Sequence, residues 1–199
     1  MARIRPEDKE IVRRRLLEAA AGHFAEKGLE GASIDAIALA AGFAKGTVYN
    51  YFESKEQLFA EVLAAGCRLA AERYAGAARE GSVRDRLLAL AAADVSVLRE
   101  EEGFMKVVVR EAMSFRPDTY PLVVEHLAPY LRQVEAVLAG GVAAGQIRAD
   151  RPVGELALVF VGVLVLLFVQ YWGSGGAWPL LDEMPQLAVT LFLDGAGAP

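Results

Sequence analysis

Along most of the chain, apolar residues return every three or four positions, the spacing of helices that each bury one stripe. Leu17, Ala20, Ala21 and Phe24 form the first stripe and predict a helix over about residues 7–27, with Gly28 as its stop. Ile34, Ile37, Ala38 and Ala41 form the next, behind Ser33 as N-cap and ahead of Gly42, which supplies a left-handed turn. Over residues 45–52 the division is sharper. Val48 and Phe52 share one face, while Thr47, Tyr49 and Asn50 share the other, where they can meet a ligand and not a core. Ser54 with Gln57 three residues later is a capping box, opening a helix that runs to about Arg79. Further helices are expected over 83–100, 103–115, 121–139 and 183–194. Pro129 predicts a break within the third of these regions, and Gly140, Gly141 and Gly145 a loosening after it. No stretch alternates with period two, so the fold class is all-α.

One segment departs from the striped pattern. Residues 156–169, LALVFVGVLVLLFV, are fourteen apolar residues without a charge. A membrane-spanning helix needs about 20 such residues, and extending this run brings in glycines and a proline, so no membrane span is expected. A helix apolar all round is otherwise one buried on all sides, as at an interface between two copies of a chain. Gly162 at its centre suits a close approach of two backbones.

Helix, glycine turn and second helix with a polar outer face is the layout that sets its second helix into a DNA major groove. The residues carry a resemblance as well. A-x-x-x-F-A-E-K-G over residues 20–28, S-I-D-A-I-A-x-x-A-G from Ser33, and K-G-T-V-Y-N-Y-F-x-S-K-E-Q-L-F from Lys45 resemble the N-terminal domain of the TetR family of bacterial transcriptional regulators. The resemblance is dense over about residues 11–63. It implies a three-helix DNA-binding domain over 1–53, followed by a helical effector-binding and dimerisation domain over 54–199. It further implies a homodimer formed through the last two helices, about 152–172 and 183–194, as a four-helix bundle.

It also sharpens the candidate DNA contacts. Tyr49 and Thr47 offer hydroxyl donors to phosphate, and Lys45 reaches a guanine edge or a phosphate. Gly46 costs a helix interior about 1 kcal/mol, which close approach of backbone to DNA would explain. Asn50, the chain's single asparagine, stands where many relatives carry histidine and suits a phosphate or an adenine. Lys55 sits unfavourably in the first turn of a helix unless a phosphate lies near. Ser33 serves as a cap and a phosphate donor, and Ala44 faces a thymine methyl where many relatives are polar. Arg3 and Arg5 form a short arm suited to the minor groove.

Charge complicates this picture. The 199 residues carry a net charge of −5. Residues 1–60 hold nine basic and nine acidic side chains, so the whole acidic surplus lies beyond them. Within the first sixty, Arg3, Arg5, Arg13, Arg14, Arg15, Lys45 and Lys55 cluster, and a local cationic strip matters more than the total because salt screens distant charge. Weak basicity predicts weak non-specific DNA binding. Cys67 is the single cysteine, which excludes internal disulfides and zinc-finger spacings and fits a reducing cytoplasm. Nucleophile-elbow, phosphate-loop and dinucleotide fingerprints are missing from the sequence, and two separated histidines suggest no metal cluster. Neither an enzyme nor a cofactor is expected.

The C-terminal part has more large apolar side chains than one core needs. Phe104, Met105, Val108, Phe115, Tyr130, Phe160, Leu164 and Phe168 are the candidate lining of an effector site, with Arg110 and His126 as polar anchors. An arginine in an apolar helix suits a carboxylate or phosphate, hence an effector such as an acyl-CoA. The expected protein is a cytoplasmic, ligand-responsive repressor that binds a palindromic operator as a homodimer. The alternative is a helical adaptor that dimerises without reading DNA.

Overall fold

The computed structural model describes residues 6–75 and 81–196, the side chains of 6–8 and 196 excepted. Nine helices occupy these residues: α1 (Pro6–Gly31), α2 (Ile34–Ala41), α3 (Lys45–Tyr49), α4 (Lys55–Ala75), α5 (Val83–Glu100), α6 (Glu102–Met113), α7 (Tyr120–Ala143), α8 (Val153–Gly173) and α9 (Met184–Ala196). The fold is all-α, and there is no β-strand among the described residues. Contacts divide the chain into two compact units, Met1–Cys67 with Glu101–His126, and Arg68–Glu100 with Leu127–Pro199.

In the first unit the predicted stripes are the core. Leu17, Ala20, Ala21 and Phe24 of α1 are buried, and so are Ile34, Ile37, Ala38 and Ala41 of α2. α1 packs on both α2 and α6. The rings of Phe24 and Phe59 meet edge to face, with centroids 5.1 Å apart. Gly42 adopts φ 77°, and the amides of Gly42 and Phe43 donate to the carbonyls of Leu39 and Ala38 at 3.0 and 2.9 Å, closing α2. Gly28 ends the first helical run as expected, at φ 68° and ψ −178°, and one further turn to Gly31 continues beyond this kink. The capping box forms with a shift of one residue. The Gln57 amide donates to Ser54 Oγ at 3.1 Å, but the Gln57 side chain takes the amide of Glu53 and not that of Ser54.

In the second unit α9 packs on α5 and α8. Phe160 of α8 and Phe192 of α9 meet edge to face at 5.3 Å. Two sequence expectations are corrected here. α7 runs unbroken past Pro129, which sits within it. A proline deletes one backbone hydrogen bond at a cost of about 3 kcal/mol, and burial of Tyr130, Val134, Val137 and Leu138 directly after it outweighs that loss. Gly140 and Gly141 do not loosen α7 either. A Cβ on Gly141 would lie 2.7 Å from both Ile147 and Val83, so this glycine lets the segment after α7 and the start of α5 close on the helix. The apolar run becomes a helix of 21 residues, long enough to cross a membrane by length and composition. It buries Leu156, Ala157, Phe160, Leu164, Leu167 and Phe168 within its own unit.

Candidate nucleic-acid interface

α2 and α3 form the helix-turn-helix within the first unit. Val48 and Phe52 point inward and are fully buried. Ala44, Lys45, Gly46, Tyr49 and Asn50 are exposed, Tyr49 to 49 %, and Thr47 is half-buried. The polar face read from the sequence is therefore one continuous outer surface over residues 44–50. Ala44 is the N-cap of α3 in extended conformation, with its carbonyl accepting the Thr47 amide at 2.8 Å. Open space surrounds the position where a Gly46 Cβ would stand. Ser33 takes the N-cap position of α2, yet its hydroxyl makes no capping bond.

The cations around this face have partners of their own. Lys45 Nζ donates to Asp35 Oδ2 across the α2–α3 turn at 2.9 Å, and this bond raises the lysine's pKa above its usual value. Lys55 Nζ donates to the carbonyls of Glu30 and Ala32 at 3.3 Å each, tying the end of α1 to the start of α4. Arg13 pairs with Glu61 at 2.5 Å and lies over the Phe52 ring. Arg14 pairs with Glu18 at 2.6 Å and Glu101 at 3.0 Å. Arg15 covers the ring of Phe43. The strip predicted from Arg13–Arg15 is built into the module's own packing. Arg3 and Arg5 lie outside the described residues.

The predicted effector residues fall in both units. In the first, Phe104, Met105 and Val108 are buried on α6, and His126 is half-buried on α7. Arg110 turns back to α1, where its guanidinium donates to the carbonyls of Ala25 and Glu26 at 3.2 and 3.4 Å. Its Nη2 also stands 3.0 Å from where a Gly28 Cβ would lie, so the kink in α1 makes room for it. Phe115 is 82 % exposed, at φ 55°. In the second unit Tyr130, Phe160, Leu164 and Phe168 are buried. Tyr130 donates its hydroxyl to Asp94 on α5 and meets the ring of Tyr74 at 6.2 Å. Burial raises the Asp94 carboxyl to about 7 and moves the Tyr130 phenol well above its usual range. Sequence reasoning missed Asp94. Its signal was present, as the single acid between Leu87 and Leu98. Buried Glu111 of α6 accepts the hydroxyl of Thr119 at 2.8 Å. Among the described residues no cluster of three or more metal-ligating side chains is assembled.

Residues 16–62 match the bacterial regulatory proteins of the tetR family, and residues 80–176 match the tetracyclin repressor-like C-terminal domain. The HTH-type transcriptional repressor KstR2 of Rhodococcus jostii is 27 % identical over 196 residues, 94 % of this chain and 92 % of that protein. The fatty acid metabolism regulator protein of Bacillus subtilis is 25 % identical over 134 residues, 67 % of this chain and 69 % of that one. Among solved structures, FadR from Bacillus subtilis in complex with stearoyl-CoA superposes with a TM-score of 0.81 at 20 % identity, covering 92 % of this chain and 98 % of that one. FadR from Bacillus halodurans gives 0.79 at 21 % identity, covering 92 % and 98 %. At these identities the two structures establish the shared fold.

Proposed function

The chain belongs to the tetR family of bacterial regulatory proteins, and from that premise we propose that it represses transcription by reading a palindromic operator as a homodimer and releases it on binding a fatty acyl effector such as an acyl-CoA. The observation that carries the reading is the division of α3. Its apolar residue Val48 and the following Phe52 anchor the helix, while Lys45, Gly46, Thr47, Tyr49 and Asn50 form a polar outer surface with no intramolecular burial to explain it. We assign DNA reading to residues 1–53 and effector binding with dimerisation to 54–199, in the cytoplasm. Two-fold symmetry then sets two half-sites about one helical repeat, or a multiple of it, apart.

The dimer surface is supported by α8 and α9. Leu158, Val159, Leu166 and Val169 of α8 and Leu191 of α9 are exposed in the single chain, and a Cβ at Gly162 would meet open space. An apolar stripe of this kind on a soluble regulator calls for a second copy. An acyl effector is supported by the names of the related fatty acid regulators and by the apolar character of the C-terminal region. The effector acts through its differential affinity for the DNA-incompetent state, and the usual coupling of about 1–3 kcal/mol lowers operator affinity about 5- to 150-fold.

Selection from random duplex DNA at near-physiological salt, followed by sequencing, tests the reading. An enriched inverted repeat that long-chain acyl-CoA releases supports both parts. An inverted repeat indifferent to acyl-CoAs removes the effector class alone. Binding that enriches nothing and vanishes with salt favours the adaptor reading, to which the balanced charge of residues 1–60 points.

A further inference from the structure

The outer face of the helix-turn-helix holds a carboxylate where a DNA reader gains from cations. Asp35 stands in the first turn of α2, exposed, and its Oδ2 accepts the Lys45 ammonium at 2.9 Å. Lys45 is the first residue of α3, at the end that enters the groove in a helix-turn-helix. Arg13, Arg14, Arg15 and Lys55 are held by Glu61, Glu18, Glu101 and Phe43, or by the carbonyls of Glu30 and Ala32. Lys45 is thus the charge on the reading face whose use Asp35 controls.

We propose that Asp35 is a specificity-determining residue that positions Lys45, withholding its ammonium from indiscriminate phosphate contact and directing it to one base pair of each half-site. The inference rests on the reading of α3 as the DNA-contacting helix. A mobile lysine ammonium gains wherever it meets a phosphate, which raises affinity for every sequence alike. Paired to Asp35, the ammonium is held in one place beside α2 and gains only where a base edge presents an acceptor there, as guanine O6 and N7 do. The charge balance of residues 1–60 then has a use, because discrimination grows when the sequence-independent share of binding is small.

Asp35→Asn keeps a residue of the same shape and removes the charge. Binding of wild type and variant is measured to the selected operator and to a scrambled duplex, across a salt series, with thermal melts alongside. The variant is expected to bind scrambled DNA roughly three- to tenfold tighter and to steepen its salt dependence by about one counterion. Its discrimination at one base pair per half-site should fall by a similar factor, and Asp35→Glu should restore it. In a Lys45→Met background Asp35→Asn should leave the salt slope unchanged. A merely structural Asp35 would lower the melting temperature and both affinities together, and that result overturns the inference. So does an unchanged salt slope in a variant that still melts as wild type does. A wild-type protein that selects no operator overturns the reading of α3 itself.

Discussion

The helix-turn-helix and α8 are both short on charge, yet they expose opposite chemistries. In α2 and α3 every large apolar side chain that faces the core is buried, Leu39 being the apolar exception outside it. What remains outside on residues 45–50 is hydroxyl, phenol, amide and ammonium. In α8 the buried set, Leu156, Phe160, Leu164 and Phe168, is matched by an outer set of Leu158, Val159, Leu166 and Val169 that is equally apolar. A polar outer face is complementary to a charged, hydrated ligand, and an apolar one to a second apolar surface. The first face specifies a DNA reader almost by itself. The second specifies only that it has to be covered.

Breaking the apolar face is expected to have the largest effect on binding. Leu166→Arg puts a charge in the middle of the outer stripe of α8, where it costs a dimer but touches no buried contact of the single chain. It should yield monomers by sedimentation and weaken operator binding roughly 100-fold or more, since each module then binds its half-site alone. A variant that still sediments as a dimer places the interface elsewhere. Next comes the anchor of the polar face. Phe52→Ala empties a fully buried site under α3 and should cost about 3–5 kcal/mol in chemical denaturation. A loss below about 1 kcal/mol would mean that the ring does not seat the reading helix.

That contrast also governs how much the sequence disclosed. Stripes at period 3.6 gave the helices of the first unit, because Ile34, Ile37, Ala38 and Ala41 have only one core to face. The outer residues of α3 were legible for the same reason, since Val48 and Phe52 fix its rotation. Periodicity says nothing of side chains that bond across the chain, so the partners of Lys45, Lys55 and Arg110 were illegible. Nor could local rules show that tertiary burial carries α7 through Pro129. Asp94 sat in plain view in an apolar helix, but its partner Tyr130 is 36 residues away.

Asp94 sharpens the second region from inside. Its folded pKa, raised by burial to about 7, exceeds the ordinary 3.8. The folded state therefore holds its proton more tightly than the unfolded one. The sign is that of a penalty: no cost below about pH 4, then stability falling as pH rises to about 7 and level above it. The total is on the order of a few kcal/mol. Asp94→Asn keeps an acceptor for the Tyr130 hydroxyl and removes the titration. Denaturation at pH 5 and pH 8 should show the wild type weaker at pH 8 and the variant nearly indifferent, with the variant more stable at pH 8 by about 1–3 kcal/mol. A variant that keeps the wild-type slope would assign the pH dependence to other groups.

The smallest expected effect bears most directly on what the polar face is for. Tyr49 is half exposed on α3, where its ring is a surface group and its hydroxyl makes no hydrogen bond among the described residues. Tyr49→Phe removes one oxygen and leaves the buried side of the helix as it was, so melting temperature should not move. If the hydroxyl donates to a phosphate, operator and scrambled duplex should lose affinity alike, by about 0.5–1.5 kcal/mol, or roughly 2- to 13-fold. Loss confined to the operator would make the phenol a reader of bases. Loss on neither duplex would turn Tyr49 away from DNA and shift the contact surface toward Lys45 and Thr47 at the start of the helix. The polar face and its buried anchor are separable by this one atom, because Phe52→Ala lowers stability and binding together whereas Tyr49→Phe should touch binding alone.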